Sequence, residues 1–200
     1  KFFSFNELCV VPKPFQKPHP PIRVAATTMD TFPVVGKMGH PLVTGLRGFD
    51  VPQVARHLEL YREAREEAGL DRKGEVYLRI PIYVAETDEL GQNEPKESTF
   101  NSYRRLAENF ARTASAPGTT ASEERNERAE RLREVTYEEL LEDRLAYGRP
   151  DTVVSKLKHL VEEFQLDGVI MEPNVGGGVS ADRMLNSIRL YAEEVAPRRR

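Results

Sequence analysis

Three threonine hydroxyls, at Thr27, Thr28 and Thr31, lie close together in the sequence, after the apolar residues 22–26 and around the start of a short helical pattern at Asp30. A strand that turns into a helix here exposes backbone amides that have no partner within the helix. Short hydroxyls and free amides at a helix N-terminus suit a phosphate. We therefore predict a phosphate-binding turn. The alternative is that Thr28 or Asp30 caps the helix with no ligand present.

A second candidate is the glycine-rich stretch 174–178, which contains Gly176 and Gly177 and follows the apolar residues 168–171. The loop at the carboxyl end of a buried parallel strand is where βα-repeat proteins hold small phosphorylated ligands. Glycine lets a backbone approach such a ligand without a Cβ clash. A simple turn from strand to helix is the alternative, but three successive glycines exceed what one turn needs, which favours ligand contact.

Four more candidate residues lie within predicted strands or at their ends. Thr44 and Gly45 end one strand and are candidates to face a ligand. Glu172 ends another, where it either lines a pocket or pairs with an arginine. Arg79 lies within a strand and either points inward toward a carboxylate or is exposed at an edge. The sequence leaves both pairs of alternatives open.

Apolar periodicity predicts the elements that position these residues. Strands are predicted at 2–11, 22–26, 41–45, 76–85 and 168–171, and helices at 30–38, 50–68, 99–112, 122–147, 151–164 and 180–195. Asp50, Asp151 and Ser180 are predicted helix caps. A proline-rich connector is predicted at 12–21 and a loop at 114–120. The densely charged residues 123–133 are interpreted as a solvated helix face rather than a binding patch.

Four of these strands are each followed by helix, which predicts an α/β fold with parallel strands and right-handed crossovers. Four such units are half of a (β/α)8 barrel, and a half barrel leaves two strand edges unpaired. Because the chain starts at Lys1 within an apolar segment, we expect another half to precede it. A partner chain that supplies this half, or some other closure of the four strands, is the alternative.

The charge and hydropathy of the sequence argue against a nucleic-acid-binding or membrane-spanning protein. A net charge of −3 with pI near 5.9 gives no electrostatic footprint for nucleic acid. No apolar run has the length that a membrane span needs.

The chain has a single cysteine, Cys9, so it cannot form an intrachain disulfide. A single cysteine fits the reducing cytoplasm, and we expect Cys9 to be buried in a strand. No histidine pair has metal-ligand spacing, so no metal site is predicted, and His57 and His159 are expected at the surface.

Several segments together are similar to the C-terminal half of the bacterial-luciferase-like flavin monooxygenase family, including its coenzyme-F420-dependent reductase branch. Each segment alone is weak, but they occur in family order over nearly the whole chain. They are residues 11–26 (VPKPFQKPHPPIRVAA), 39–42 (GHPL), 60–65 (LYREAR), 147–150 (YGRP), 167–178 (DGVIMEPNVGGG) and 191–197 (YAEEVAP).

The resemblance implies a TIM-type (β/α)8 barrel, with residues 1–200 as one partial domain carrying about strands five to eight and a helical insertion at 86–148. It also implies FMN, or alternatively F420, at the carboxyl ends of the strands. Thr28 and Thr31 fall at the family's phosphate-contacting positions. Thr27 falls where luciferases carry an acidic residue, so that contact is changed here. The cofactor-binding residues implied by the resemblance and by the strand-end positions are Ala26, Thr27, Thr28, Thr31, Thr44, Gly45, Gly176 and Gly177.

The function that this resemblance implies is that of a flavin-dependent oxidoreductase. Reduced FMN, supplied by a separate flavin reductase, would activate O2 to oxygenate a small organic substrate, or F420 would carry hydride. The family's catalytic acid or base usually belongs to the first half of the barrel, so no catalytic residue is named. Homodimers are common in the family and are expected here. The alternative is a non-catalytic flavin-binding or structural module completed by dimerisation.

Overall fold

The computed structural model describes residues 4–118 and 122–198 and shows parallel strands that alternate with helices. The strands are β1 (Val24–Ala25), β2 (Leu42–Gly45), β3 (Val76–Val84), β4 (Ala146–Gly148) and β5 (Gly168–Glu172). The helices are α1 (Thr31–Lys37), α2 (Val51–Glu67), α3 (Asp88–Asn93), α4 (Lys96–Ala114), α5 (Ser122–Glu134), α6 (Tyr137–Asp143), α7 (Pro150–Phe164) and α8 (Ala181–Leu190). A short π-helix (Tyr191–Val195) and a 3-10 helix (Ala196–Arg198) follow α8.

All strand pairs are parallel, and β3 is the central strand. β2 lies between β1 and β3, with Val24 opposite Leu42 and Leu42 opposite Val76. β5 pairs with the middle of β3, from Tyr77 to Pro81, while β4 pairs with the last three residues of β3. Among the described residues β1 pairs with β2 alone and β5 with β3 alone, so the sheet is open.

The main core lies between the sheet and α1, α2 and α7. Because side chains alternate along a strand, Val76, Leu78 and Ile80 of β3 point to one face, where they are fully buried. Leu58 of α2 and Leu157 of α7 belong to the same core. A second, smaller core of tyrosines and leucines lies beneath α4, α5 and α6, so these helices have apolar packing of their own.

Most predicted elements are confirmed. The strands predicted at 41–45, 76–85 and 168–171 and the helices predicted at 30–38 and 50–68 are present with boundaries shifted by a few residues at most. Asp50 caps α2 in a full capping box with Gln53. Gly39 adopts a φ of 74° just after α1, as a helix stop requires.

The predicted strand at 2–11 is wrong for residues 4–11, which form no strand and are exposed, while residues 2 and 3 lie outside the described part of the chain. Cys9 is consequently exposed rather than buried. No strand among the described residues pairs with the backbone of this segment, and local β-propensity alone does not form a sheet. β1 is also shorter than predicted, because Ile22 is exposed and only Val24–Ala25 pair with β2.

The single helix predicted at 122–147 is wrong. Thr136 forms a capping box with Glu139 and starts a new helix, so the segment contains α5, α6 and then β4. Asp151 does not cap α7; Arg149 occupies the N-cap position, and Asp151 lies in the first turn. α4 ends at Ala114, and the predicted loop at 114–120 is described only as far as Gly118; residues 119 and 120 lie outside the description.

Candidate functional site

A cavity of about 180 Å3 lies at the carboxyl ends of β1 and β2. Its floor includes Ala26, Thr44 and Gly45, three of the residues predicted from the sequence. Leu106 and Phe110 of α4 form one wall. Ligand sites in parallel α/β proteins lie at this edge of the sheet, so the cavity is the candidate functional site.

Thr27, Thr28 and Thr31 form the turn beside this cavity. Thr27 lines the cavity itself, and the hydroxyls of Thr28 and Thr31 are 2.8 Å apart in one hydrogen bond. The N-cap position of α1 is Asp30, whose side chain makes no capping hydrogen bond among the described residues. The hydroxyl of Thr28 bonds to that of Thr31 instead of a backbone amide. Neither Thr28 nor Asp30 therefore caps the helix through its side chain, contrary to the alternative stated above.

Arg128 of α5 is the main site residue that sequence reasoning missed. Its side chain is 2% exposed, and its Nη1 donates to the carbonyl of Thr27 at 2.6 Å while Nη2 pairs with Glu124 at 2.6 Å. Its guanidinium lies 3.8 Å from the ring centroid of Phe49. Burial lowers the pKa of Arg128 to about 10, which leaves it charged at neutral pH.

The interpretation of residues 123–133 as a solvated face is therefore wrong for part of α5. Arg128, Ala129 and Leu132 are buried, whereas Glu127 and Glu130 are exposed. Ala129 and Leu132 are apolar residues within a densely charged helix. They were the sequence signal that marks its buried stripe. Because Arg128 lies on that stripe, it is carried into the cavity wall.

An ion-pair network joins the strand ends to α4. Arg47 Nη1 donates to Glu172 Oε1 at 3.0 Å, and Arg47 Nη2 donates to the hydroxyl of Ser102 at 2.6 Å. The Nε of Arg79 lies 3.4 Å from Glu172 Oε2. The sequence left open whether Glu172 lines a pocket or pairs with an arginine, and the structure shows the arginine pair. Arg79 has a carboxylate partner and is also half-exposed.

Several buried polar atoms at this site lack partners. Thr44 Oγ1, Arg47 Nε and Arg128 Nε make no hydrogen bond within the part of the chain that the structure describes, and all three residues line the cavity. A buried donor without a partner carries a desolvation cost, so such atoms mark places where a ligand can bind. A flavin fits this donor set, since its ring edge offers several hydrogen-bond acceptors.

The glycine loop lies elsewhere. Gly176 and Gly177 do not line the cavity; the loop instead packs on the start of α4. Ser98 Oγ donates to the carbonyl of Val175 at 2.7 Å and accepts from the amide of Gly178 at 2.8 Å. A Cβ on Gly176 would lie 2.1 Å from the carbonyl oxygen of Ser98. The structure therefore gives Gly176 a packing reason to be glycine and does not bring the loop to the other predicted residues.

His57 is buried, so its expected surface position is wrong, whereas His159 is exposed as expected. The ring of His57 lies 4.9 Å from the ring centroid of Phe32 and 4.6 Å from that of Phe49. Burial, followed by the nearby charge of Arg128, lowers the pKa of His57 below its usual value. The histidine is therefore held neutral behind the cavity.

Within 4–118 and 122–198, no group of three or more His, Cys, Asp or Glu side chains is placed to hold a metal ion. No helix in the same ranges is long and apolar enough to cross a membrane.

The family described as luciferase-like monooxygenase matches residues 1–167 of this chain. No curated protein matches it in sequence.

Solved structures with the same fold include three from different organisms. The monooxygenase RslO1 from Streptomyces bottropensis is 22% identical, with a TM-score of 0.70 over 98% of this chain and 54% of that one. The oxygenating constituent of 3,6-diketocamphane monooxygenase from Pseudomonas putida, solved with FMN, is 21% identical, with a TM-score of 0.63 over 90% and 49%. The F420-dependent tetrahydromethanopterin reductase from Methanopyrus kandleri is 16% identical, with a TM-score of 0.60 over 90% and 51%. The chain spans about half the length of these structures.

Proposed function

The chain belongs to the luciferase-like monooxygenase family, and we propose that it is part of a flavin-dependent oxidoreductase that uses reduced FMN and O2 to oxygenate a small organic substrate. Hydride transfer with F420 is the alternative cofactor chemistry. The observation that carries this proposal is the cavity at the carboxyl ends of β1 and β2, which adjoins the hydroxyl turn of Thr28 and Thr31. When bound, the flavin supplies the redox chemistry, and the protein supplies binding, orientation and exclusion of water.

Thr28 and Thr31 would hold the flavin phosphate. Both hydroxyls are half-buried, close together and not used in capping α1. The hydroxyl that accepts in their mutual hydrogen bond keeps its O–H free for an anion, and the other would turn its O–H to the anion on binding. The charged Arg128 donates to the carbonyl of Thr27 in the same turn and adds positive potential there. Thr27 itself contributes through its backbone, because its side chain replaces the acidic residue of the luciferases.

Ala26, Thr44 and Gly45 would lie against the flavin ring. Gly45 has no side chain to keep a planar ring away from the strand, and a Cβ there would meet the carbonyl of Arg79 at 2.8 Å. The hydroxyl of Thr44 is buried and has no hydrogen-bond partner in the described structure, so it can bond to a polar edge of the ring. Phe110 of α4 closes the cavity and helps to exclude water.

We also propose that the chain forms about strands five to eight of a (β/α)8 barrel, as one partial domain with α3–α6 as its insertion. This rests on the succession of βα units, five among the described residues with the three-residue β4 included, and on the coverage of about half of each solved relative. The catalytic acid or base would then belong to the other half of the barrel. A flavin reductase would supply reduced FMN in the cytoplasm, and the active form would be a homodimer.

A second candidate is a non-catalytic flavin-binding or structural module. The unpaired outer edges of β1 and β5 in the described residues favour it, because a second copy of the chain could cover them. Flavin binding without turnover of any reduced flavin in the presence of O2 would favour this candidate over the enzyme.

FMN and riboflavin differ by the phosphate alone, so their affinities test the phosphate turn. Thr28→Val and Thr31→Val remove one hydroxyl each at nearly constant volume. A lost hydrogen bond to a charged group costs about 1.5–3 kcal/mol, so we expect FMN affinity to fall roughly 10- to 100-fold. Riboflavin affinity should not change.

Fluorescence titration measures both affinities. Ser155→Ala is the matched control, because Ser155 is exposed on α7 and far from the turn in the sequence. Equal affinity of the unmodified chain for FMN and riboflavin, together with no effect of either threonine change, would refute the proposed phosphate site.

A further inference from the structure

The side chain of Arg128 is held in place by two aromatic rings. Its guanidinium lies 3.8 Å from the ring centroid of Phe49 and 5.4 Å from that of Phe110, and its side chain is 2% exposed. A guanidinium is planar and presents its donors as a rigid fork. When a partner holds one branch of the fork, the direction of the other branch is therefore set as well.

Glu124 holds one branch of this fork. It lies one turn before Arg128 on α5, and its Oε1 accepts from Arg128 Nη2 at 2.6 Å. The other branch, Nη1, donates to the carbonyl of Thr27 at 2.6 Å. An arginine keeps its proton at neutral pH with or without a partner. Removal of the Glu124 carboxylate would therefore leave the charge on Arg128 but release the direction in which its fork donates.

The Thr27 carbonyl belongs to the same planar trans peptide unit as the amide of Thr28. The C=O and N–H bonds of such a unit point in opposite directions, so the bond from Arg128 directs the Thr28 N–H away from α5. The amides of Thr31 and Phe32 donate to carbonyls within the turn at 3.0 and 3.3 Å, whereas the amide of Thr28 has no acceptor among the described residues. A charge-assisted bond to the carbonyl also polarises the peptide and makes this N–H a stronger donor.

We infer that Arg128 and Glu124 are positioning residues for the flavin phosphate. They act through the peptide between Thr27 and Thr28, whose N–H donates to a phosphate oxygen. The inference rests on the proposed function and deepens it, because it states how the chain distinguishes a phosphorylated flavin from riboflavin. The carboxylate of Glu124 thereby strengthens anion binding, which is the opposite of what its negative charge alone would do.

Glu124→Ala and Glu127→Ala form a matched pair, since each removes one carboxylate from α5. Of the two carboxylates, only that of Glu124 bonds to Arg128 in the described structure, and Glu127 is exposed. Charge alone predicts that both variants bind FMN more tightly. Positioning predicts that Glu124→Ala binds FMN about fivefold or more weakly, the loss expected for one hydrogen bond, while Glu127→Ala does not bind it more weakly.

Fluorescence titration of FMN and riboflavin into both variants gives the affinities. Riboflavin affinity should stay the same in Glu124→Ala, which also shows that this variant is folded. Unchanged or tighter FMN binding by Glu124→Ala would overturn the inference. Equal losses of FMN and riboflavin affinity would overturn it too, because the pair would then support the fold and not the phosphate site.

The amide signal of Thr28 in nuclear magnetic resonance spectra tests the last contact directly. In an isotope-labelled chain, FMN should move this amide proton downfield, as a new hydrogen bond to a charged acceptor does, and riboflavin should not. Arg128→Lys keeps the positive charge but replaces the fork with a single ammonium, so the shift should be smaller in that variant. An FMN-induced shift that is absent at Thr28 would overturn the role given to this peptide.

The unmodified chain separates this inference from the proposed function. If it prefers FMN to riboflavin and Glu124→Ala retains that preference, the positioning role is refuted and the flavin function stands. If the unmodified chain binds neither flavin, the proposed function is refuted and the positioning role with it.

Discussion

At the scale of single residues, the packing around the cavity determines the protonation states of the His57 and Arg128 side chains. The rings of Phe32 and Phe49 surround His57, and Phe49 also lies against the guanidinium of Arg128. Arginine keeps its proton at this position, whereas histidine, with a usual pKa near 6.5, does not. The wall behind the cavity thus holds one positive charge and one neutral imidazole.

This arrangement predicts a pH-dependent stability. Burial, Arg128 and Arg56 disfavour protonated His57 in the folded chain, while Asp50 opposes them weakly. The unfolded chain binds a proton at His57 as pH falls through about 6.5, so stability is retained above that pH and lost below it. We expect the free energy of unfolding to fall between pH 7 and pH 5, at up to about 1.4 kcal/mol per pH unit from this group.

Urea unfolding at a series of pH values measures the effect. His57→Gln should flatten the curve in this range relative to the unmodified chain, while His159→Gln, which changes an exposed histidine, should not. Identical slopes for the two variants would mean that His57 titrates normally in the folded state.

Some residues of the site could be predicted from local sequence and others could not. Thr28, Thr31 and Thr44 follow from hydroxyls at the ends of recognisable strands, which is information within a few residues. Arg128 lies about one hundred residues from the carbonyl of Thr27 that it contacts. Ala129 and Leu132 mark the buried stripe of α5, but nothing in the local sequence specifies that this stripe packs on α4 and on Phe49.

At the scale of elements, α4 is held to the strands and to the loops that follow them by several side-chain hydrogen bonds. Ser102 accepts from Arg47, which follows β2, and Ser98 bonds to the loop after β5. The glycine loop therefore has a role in positioning α4, whose residues Leu106 and Phe110 wall the cavity. The contact between Gly176 and Ser98 is close enough to test by substitution.

Gly176→Ala and Gly177→Ala form a matched pair. Both glycines have positive φ, 88° and 75°, so either alanine costs about 1–2 kcal/mol in backbone strain. At Gly176 the new Cβ also meets the carbonyl of Ser98, whereas nothing lies within 4 Å at Gly177. Overlap of this kind adds about 1–3 kcal/mol, so Gly176→Ala should be clearly the more destabilising change.

Chemical denaturation compares the two variants directly. If both alanines cost the same free energy of unfolding, the loop does not rest on α4 as described. A flavin titration of Gly177→Ala has a further use: an affinity loss without extra instability would favour the ligand contact that the sequence predicted for this loop.

The elements themselves were largely predictable, because the core strands and the amphipathic helices carry clear periodicity. The errors occurred where periodicity is weak. Residues 122–147 are charged at 14 of their 26 positions, so the boundary at Thr136 was visible only as a capping box within a continuous helical pattern. Residues 4–11 are apolar enough for a strand, yet they have no strand to pair with in the described fold.

At the scale of the whole molecule, the sheet of the described residues is parallel and open, and the chain spans about half the length of a solved relative. The four predicted βα units occur in the predicted order, but the structure has a further strand, β4, which pairs with the last residues of β3 and was not predicted, since three residues give too short a signal. This chain forms the floor and one wall of the cavity at the end of the sheet. The remaining walls would come from the other half of the proposed barrel.

The most direct measurement is a crystal structure of the protein saturated with FMN, and in parallel with F420. We predict the phosphate within hydrogen-bonding distance of the Thr28 and Thr31 hydroxyls, and the ring against Ala26, Thr44 and Gly45. A flavin bound at any other place on the chain, or no bound flavin at saturating concentration in crystals of either this chain or a version completed by the proposed first half of the barrel, would contradict the account.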